Sequence, residues 1–405
     1  MTTSIPTLAG TTEGTRTAYL DRSFLPYCQQ DIGAEEMAAV LECLQSDWIT
    51  TGPRVGEFEL ACAEHVNARH AVALNSCTAA LHLALEVLGV QEGDEVITTP
   101  MTFCATAEAI EYMRARPVFV DVEPDTLNIS PRQMARAITD RTKALLPVHY
   151  GGHPCEMGRI LALAGDAGLP VVEDAAHAMG AYYRGRPVGS LGDITCFSFY
   201  ATKNMTTAEG GLLATDNPEW ADKARILGLH GISRDAWKRY SSEGSWHYDV
   251  MHLGYKYNMT DLAASLGLVQ LRRLTEFNDL RRVYARMYDR AFSEVPEVSV
   301  LATHPHVVHA RHLYVIQLDL SALTIDRAAF IEELKKMNVG TSVHFIPLHL
   351  QPYYRNKYGY QPGDFPVAEA AYERMISLPL YPRMSEEDVR YVTWAVKEVI
   401  AKYHR

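Results

Sequence analysis

The chain has 405 residues, 47% of them hydrophobic and 21% charged, which is enough for a large core and more than one lobe. Its 38 basic and 49 acidic residues leave a net charge of −11, so there is no electrostatic case for nucleic acid or an anionic membrane as a partner. The seven cysteines are odd in number and show no CxxC spacing, as expected of free thiols in a reducing cytoplasm rather than a disulfide framework.

Residues 1–17 are polar and lack the apolar stretch of a signal peptide, and no run is long enough to cross a bilayer. They predict a flexible N-terminal tail, 1–22, on a cytoplasmic protein. Short apolar runs then predict strands at 71–74, 95–98, 117–122, 144–149, 170–174, 194–199 and 211–215. Helical patterns fall between them at 78–88, 105–113 and 156–167. This alternation implies an α/β fold: a mostly parallel mixed sheet flanked by helices, with ligands expected at the strand carboxyl ends. A long amphipathic helix at 261–292 leads into a smaller C-terminal α+β domain. That domain is predicted to hold strands at 313–318 and 341–345 and helices at 326–337 and 385–400, the last opened by Ser385 with Asp388. The large domain is taken as 23–265 and the smaller one as 266–405.

Two residues carry the chemical argument. Lys203 follows an apolar strand and precedes Gly210-Gly211, and Asp174 closes another buried strand. A lysine amine that can form an imine, paired with an acid at a strand end, is what pyridoxal phosphate requires. The amine holds the aldehyde carbon, and the carboxylate keeps the pyridine nitrogen protonated. Glu173 competes with Asp174. The two point to opposite faces of a strand, so only one can meet a cofactor, and Asp174 is chosen. His177 can contact a ring held by that aspartate, or be an ordinary satisfied polar residue. Asn75 to Ala80 joins a strand to a helix, where Thr78 and Ala79 can form an anion site; a plain Ser/Thr cap accounts for the same residues. Ser198 is a second hydroxyl for a phosphate. Phe103 can cover a ring face or pack in the core. His304, His306 and His309 form the densest histidine cluster; without a matching acidic set in sequence they read as solvated surface, and no metal is expected.

Taken together, these segments resemble the DegT/StrS-type nucleotide-sugar aminotransferases, within the aspartate-aminotransferase-like fold type I enzymes that use pyridoxal phosphate. The most specific likenesses are Glu173-Asp-Ala-Ala-His-Ala-Met-Gly and Ser198-Phe-Tyr-Ala-Thr-Lys-Asn with Glu209-Gly-Gly. Asp47-Trp-Ile-Thr-Thr-Gly-Pro, Gly254-Tyr-Lys-Tyr-Asn-Met-Thr-Asp and Ser342-Val-His-Phe-Ile-Pro add to them across nearly the whole chain. The resemblance implies Lys203 as the imine-forming lysine and proton shuttle, and Asp174 as the partner of the pyridine nitrogen. It implies that His177 and Phe103 lie against the ring, that Thr78, Ala79 and Ser198 hold the phosphate, and that Asn258 reaches that phosphate from a second chain of a homodimer. Thr50, Gly52 and His344 would contact substrate. The implied reaction passes the amino group of L-glutamate to the C4 keto group of a nucleotide-linked 4-keto-6-deoxy sugar, for lipopolysaccharide or other surface glycans. Relatives acting at C3 often show Gln where this chain has His177, and those that dehydrate carry His in place of Lys203. The rival readings are a C3 aminotransferase, a cofactor-binding sensor without turnover, and a lyase or dehydratase.

Overall fold

A computed structural model of the chain describes residues 22–232 and 248–405. The expected flexible tail lies outside the described residues except for Arg22, which pairs with Asp388 at 2.9 Å.

The sheet is mixed, with one strand reversed. His70–Leu74 pairs antiparallel with Gly211–Thr215, which pairs antiparallel with Ile194–Ser198, and that strand runs parallel to Val172–Asp174. Parallel bridges Leu145–Val171 and Val148–Asp174 join this sheet to a second, all-parallel one built from Thr142–Leu145, Glu95–Thr98 and Arg116–Phe119. Several strands are shorter than the apolar runs predict; 146–149 continues its run only as a single bridge to Asp174.

Alternate residues of each strand enter different cores. Ala71, Ala73 and Phe197 join one, and Val72, Leu74 and Cys196 the other. A sheet buried on both faces explains why these strands read as unbroken apolar runs. Helix Cys77–Val87 is the most deeply buried cover, with nine of its residues inside.

The helix Asp261–Phe292 serves both lobes. Ala264 and Leu274 pack in the core beneath the main sheet, while Tyr284, Tyr288 and Phe292 pack in a second core. The Thr260 hydroxyl opens this helix by accepting the Ala263 N–H at 3.2 Å. The second core lies on an antiparallel sheet of Val298–Val300, Tyr314–Leu318 and Met375–Leu378, covered by Arg327–Lys336 and Glu386–Tyr403. Ser385 and Asp388 make the expected reciprocal cap. Leu25 bridges Val339 and packs in this core too, so the first described residues belong with the C-terminal lobe.

One expected strand does not form. The segment 341–345 makes a single bridge, Ser342 to Ser377, and then turns so that His344 Nδ1 lies 2.8 Å from the Ser377 hydroxyl. It reaches the free edge of Met375–Leu378 but pairs there at Ser342 alone. The helices Ala34–Leu44, Pro53–Val66, Pro131–Ala137, Pro218–Gly228, Pro352–Tyr358 and Pro366–Arg374 had no counterpart in the sequence reading.

Candidate active site

Lys203 sits on a clamped loop. The strand Ile194–Ser198 is buried at every position, and the chain turns after Ser198. The Lys203 N–H donates to Tyr200 O, and Thr207 N–H returns to Phe199 O, both at 2.9 Å. Asn204 donates to Asn278 Oδ1 at 2.6 Å and to Ala310 O at 2.8 Å. Phe199 is fully buried, edge-on to Phe58 with centroids 5.4 Å apart. With its backbone fixed this way, the lysine presents a desolvated amine. Burial lowers its pKa to about 8, with Cys77, Asp174 and Cys28 opposing the fall.

Asp174 and Glu173 diverge as alternation on a strand requires. Glu173 is saturated on the far face: Gly192 N–H and the Thr195 hydroxyl donate to Oε1 at 2.8 Å, and His149 Nε2 lies 2.8 Å from Oε2. Because His149 Nδ1 accepts the Cys155 N–H at 3.0 Å, its proton is on Nε2, which donates to Glu173. Asp174 is 5% exposed and keeps acceptor capacity. One oxygen takes the Thr106 hydroxyl at 2.7 Å, the other the Ala176 N–H at 3.1 Å. Thr106 in turn accepts from Thr102 at 2.7 Å, a relay with no signal in the sequence. Burial raises the Asp174 pKa; Thr106, Ala176 and Lys203 act against it.

His177 lies close enough to Lys203 to feel its charge. Its ring stacks on Phe345 at 5.9 Å and lies 4.4 Å from that of His312. Its buried Nδ1 has no partner among the described residues. Burial, then the charges of Lys203 and His344, keeps it neutral by lowering its pKa well below the ordinary value. His344 belongs to the same cluster: burial and then Lys203 lower its pKa to about 4. Phe103 is not a core residue. It is 60% exposed at the start of helix Cys104–Tyr112, its ring 6.2 Å from Phe345.

The phosphate segment is built by close approach of two backbones. A Cβ on Gly211 would lie 2.3 Å from the Ser76 carbonyl, so only glycine lets this strand meet the turn. Ser76 caps the helix by accepting the Ala79 N–H at 3.1 Å. That engages the Ala79 amide and leaves those of Cys77 and Thr78, in the first turn, to face an anion. Ser198 is 8% exposed at the end of its strand, two strands from this turn.

Thr50, Gly52 and Asn258 form a second group. The Asn258 amide donates to Thr51 Oγ1 at 2.6 Å, and the Lys256 ammonium donates to Asn258 Oδ1. Asp261, fully buried, accepts Gly52 N–H at 2.9 Å, Val55 N–H at 3.0 Å and Arg54 N–H at 3.3 Å. It thereby caps helix Pro53–Val66 and anchors the loop; Thr50 O accepts the Asp261 N–H at 2.7 Å. Gly52 and Asn258, though not Thr50, line a cavity of about 410 Å³ with Val55, Arg225 and Leu229, and Lys203 and Asp174 lie outside it. Asn258 bridges Leu74, and the Asn75 N–H donates to Tyr257 O at 2.7 Å, so within one chain this group adjoins the phosphate turn while Lys203 and Asp174 lie outside the cavity it borders.

The histidine cluster differs from expectation. Glu156 and Asp125, distant in sequence, supply its acidic partners: Glu156 Oε1 lies 2.9 Å from His304 Nδ1 and 2.7 Å from His306 Nε2, and Asp125 Oδ2 lies 3.0 Å from His304 Nε2. These side chains are about a quarter to a half exposed. A solvated-surface reading from spacing alone could not see carboxylates brought in by the fold.

The first group fits pyridoxal phosphate on the structure's own terms. It offers a desolvated amine, a carboxylate with spare lone pairs, an orphaned imidazole nitrogen and free amides at a helix start. The DegT/DnrJ/EryC1/StrS aminotransferase family model matches residues 30–397. The spore coat polysaccharide biosynthesis protein SpsC of Bacillus subtilis is 52% identical over 378 residues, covering 93% of this chain and 97% of that one. Spr1654 of Streptococcus pneumoniae, assigned as a sugar aminotransferase and solved in pyridoxal and pyridoxamine phosphate forms, is 37% identical in the latter. It superposes with a TM-score of 0.89, covering 93% of this chain and 99% of that one. DesI, solved in the presence of its TDP-sugar product, is 33% identical with a TM-score of 0.83 over 94% of both chains. The sheet order, the lysine on its clamped loop and the aspartate beside it therefore belong to a fold type I, pyridoxal-phosphate-dependent sugar aminotransferase, and this chain is a member of the DegT/DnrJ/EryC1/StrS aminotransferase family.

Proposed function

We propose that the enzyme moves the amino group of L-glutamate to the C4 keto group of a nucleotide-linked 4-keto-6-deoxy sugar, and that a homodimer shares its sites. The observation that carries this reading is the pairing of a desolvated Lys203 amine with a buried Asp174 carboxylate, each close enough to feel the other's charge. The Asp-Ala-Ala-His sequence ending in His177 favours C4 over C3. The TDP-sugar product of DesI and the polysaccharide role in the name of SpsC support a nucleotide sugar destined for a surface glycan. Seven free cysteines fit a reducing cytoplasm.

When bound, pyridoxal phosphate supplies an aldehyde that takes up the amino group and an electron-poor ring that stabilises negative charge on the neighbouring carbon. Lys203 does the proton work. With a pKa of about 8 it is partly neutral near pH 7.5, so its amine can take a proton from the donor's Cα and later deliver one to the sugar carbon. Asp174 would hold a proton on the ring nitrogen, and Thr106 and Ala176 keep its carboxylate from turning away. Thr78, Ala79 and Ser198 would hold the phosphate, with the Cys77 amide sharing that role because Ser76 engages the Ala79 N–H; His177 and Phe103 would flank the ring, and His344 would meet substrate from the smaller lobe. Thr50, Gly52 and Asn258 would complete the neighbouring chain's site, a reading supported by a cavity that Gly52 and Asn258 line and Lys203 does not.

The test is a panel of UDP-, dTDP- and GDP-4-keto-6-deoxy sugars incubated with glutamate and read by mass spectrometry. One of them should gain an amino group as 2-oxoglutarate appears. Cofactor binding without any turnover across the panel would favour a sensor instead.

A further inference from the structure

We propose that Glu156, His304 and His306 form a binding site for a divalent first-row transition ion, zinc being the reference case. It is separate from the active-site residues and ties residues 301–310 to the large lobe. The ligand atoms converge: one atom from each of the three side chains lies within 4.8 Å of the others. Two imidazoles and a carboxylate are the donor set of many zinc sites, and tetrahedral bonds of ~2.0–2.2 Å would leave a fourth position for water. The residues are partly exposed, so that position is open to solvent.

The surroundings are those of metal ligands. His304 has a carboxylate at each nitrogen, Glu156 at Nδ1 and Asp125 at Nε2. With protons alone both nitrogens would have to donate, one to each carboxylate. A metal on Nδ1 lets His304 stay neutral, with Nε2–H donating to Asp125. That is the carboxylate–histidine–metal arrangement that orients an imidazole ligand. Glu156 is oriented as well: its other oxygen accepts the Tyr183 hydroxyl at 3.3 Å, and that hydroxyl accepts the Gly158 N–H at 3.1 Å. The His304 N–H donates to His153 Nε2 at 3.2 Å. Glu156 and Asp125 together carry two negative charges against one dication.

The location gives the site a structural role. Glu156 stands at the start of helix Met157–Ala167, and Val307–Val308 pairs with Tyr182–Tyr183 beside it. The same segment continues through Ala310, whose carbonyl holds Asn204, to His312 against His177. A metal here would staple the strand that backs the active site without touching the reacting atoms.

The experiment titrates Zn²⁺ into chelator-treated, full-length, cofactor-loaded enzyme against a chromophoric competitor, and repeats the titration with Co²⁺. One equivalent should bind, and Co²⁺ should show the visible bands of four-coordinate geometry. His306→Gln retains a donor to Glu156 and should stay folded by circular dichroism, yet weaken binding at least ~100-fold; Asp125→Asn should weaken it by ~10- to 100-fold. Failure of Zn²⁺ to bind, or equal affinity in His306→Gln, overturns the proposal, the latter by placing the ion on other ligands.

Discussion

The buried amine of Lys203 should cost the apoprotein stability, and replacing it by a neutral side chain should recover that cost. Lys203→Met keeps the length and removes the charge. The folded amine titrates near 8 against an ordinary 10.5, a difference worth about 3 kcal/mol. The sign follows from proton counting. Between pH 8 and 10.5 the unfolded chain holds a proton that the folded chain has lost, so wild-type stability rises with pH across that window. The penalty is full below pH 8. Urea unfolding of the two apoproteins at pH 7 should therefore find Lys203→Met more stable by about 3 kcal/mol, and at pH 9.5 by only ~1.4 kcal/mol. A mutant that is no more stable at pH 7, or a gap that does not move with pH, would refute a desolvated amine. It would show instead an ammonium well solvated or paired.

Other expectations concern the neighbours of that amine. Asp174→Asn cannot hold a proton on the ring nitrogen and should lose at least ~100-fold in steady-state turnover, the usual scale for a strong contact in a closed site. Near-normal activity would transfer the role to another group. Asp261→Asn leaves one oxygen for three backbone N–H donors and should cost ~1–3 kcal/mol in chemical denaturation. If the 50–52 loop serves substrate, KM for the sugar should rise more than kcat falls. A Lys203→Ala chain mixed with an Asn258→Ala chain should regain activity toward one working site per heterodimer. Demonstrated heterodimers without recovery would mean that the two residues serve the site of the same chain.

The sequence made the sheet legible because its strands are buried on both faces, and such strands read as apolar runs whatever their neighbours are. Asp174 and Lys203 were visible for the same reason: each is polar at the end of an apolar run. The choice of Asp174 over Glu173, made on strand alternation, gains its physical reason in the structure, which saturates Glu173 with His149, Gly192 and Thr195 from other strands and turns. Thr106 and Asp261 act through partners 68 and 206 to 209 residues away, a distance over which no local pattern speaks. Residues 341–345 have a strand's composition, but they meet the open edge of Met375–Leu378 only at Ser342 before His344 turns onto the Ser377 hydroxyl. Glu156 meets the histidines because the fold brings residues 304–310 beside it, through the pairing of Tyr182–Tyr183 with Val307–Val308 and bonds to His153 and Gly152.

The most direct measurement follows the nitrogen itself. ¹⁵N-glutamate incubated with the accepted nucleotide-linked 4-keto-6-deoxy sugar should give a product in which nuclear magnetic resonance couples ¹⁵N to the proton on C4. Nitrogen on C3, or a sugar that carries none while glutamate is unchanged, would contradict the account.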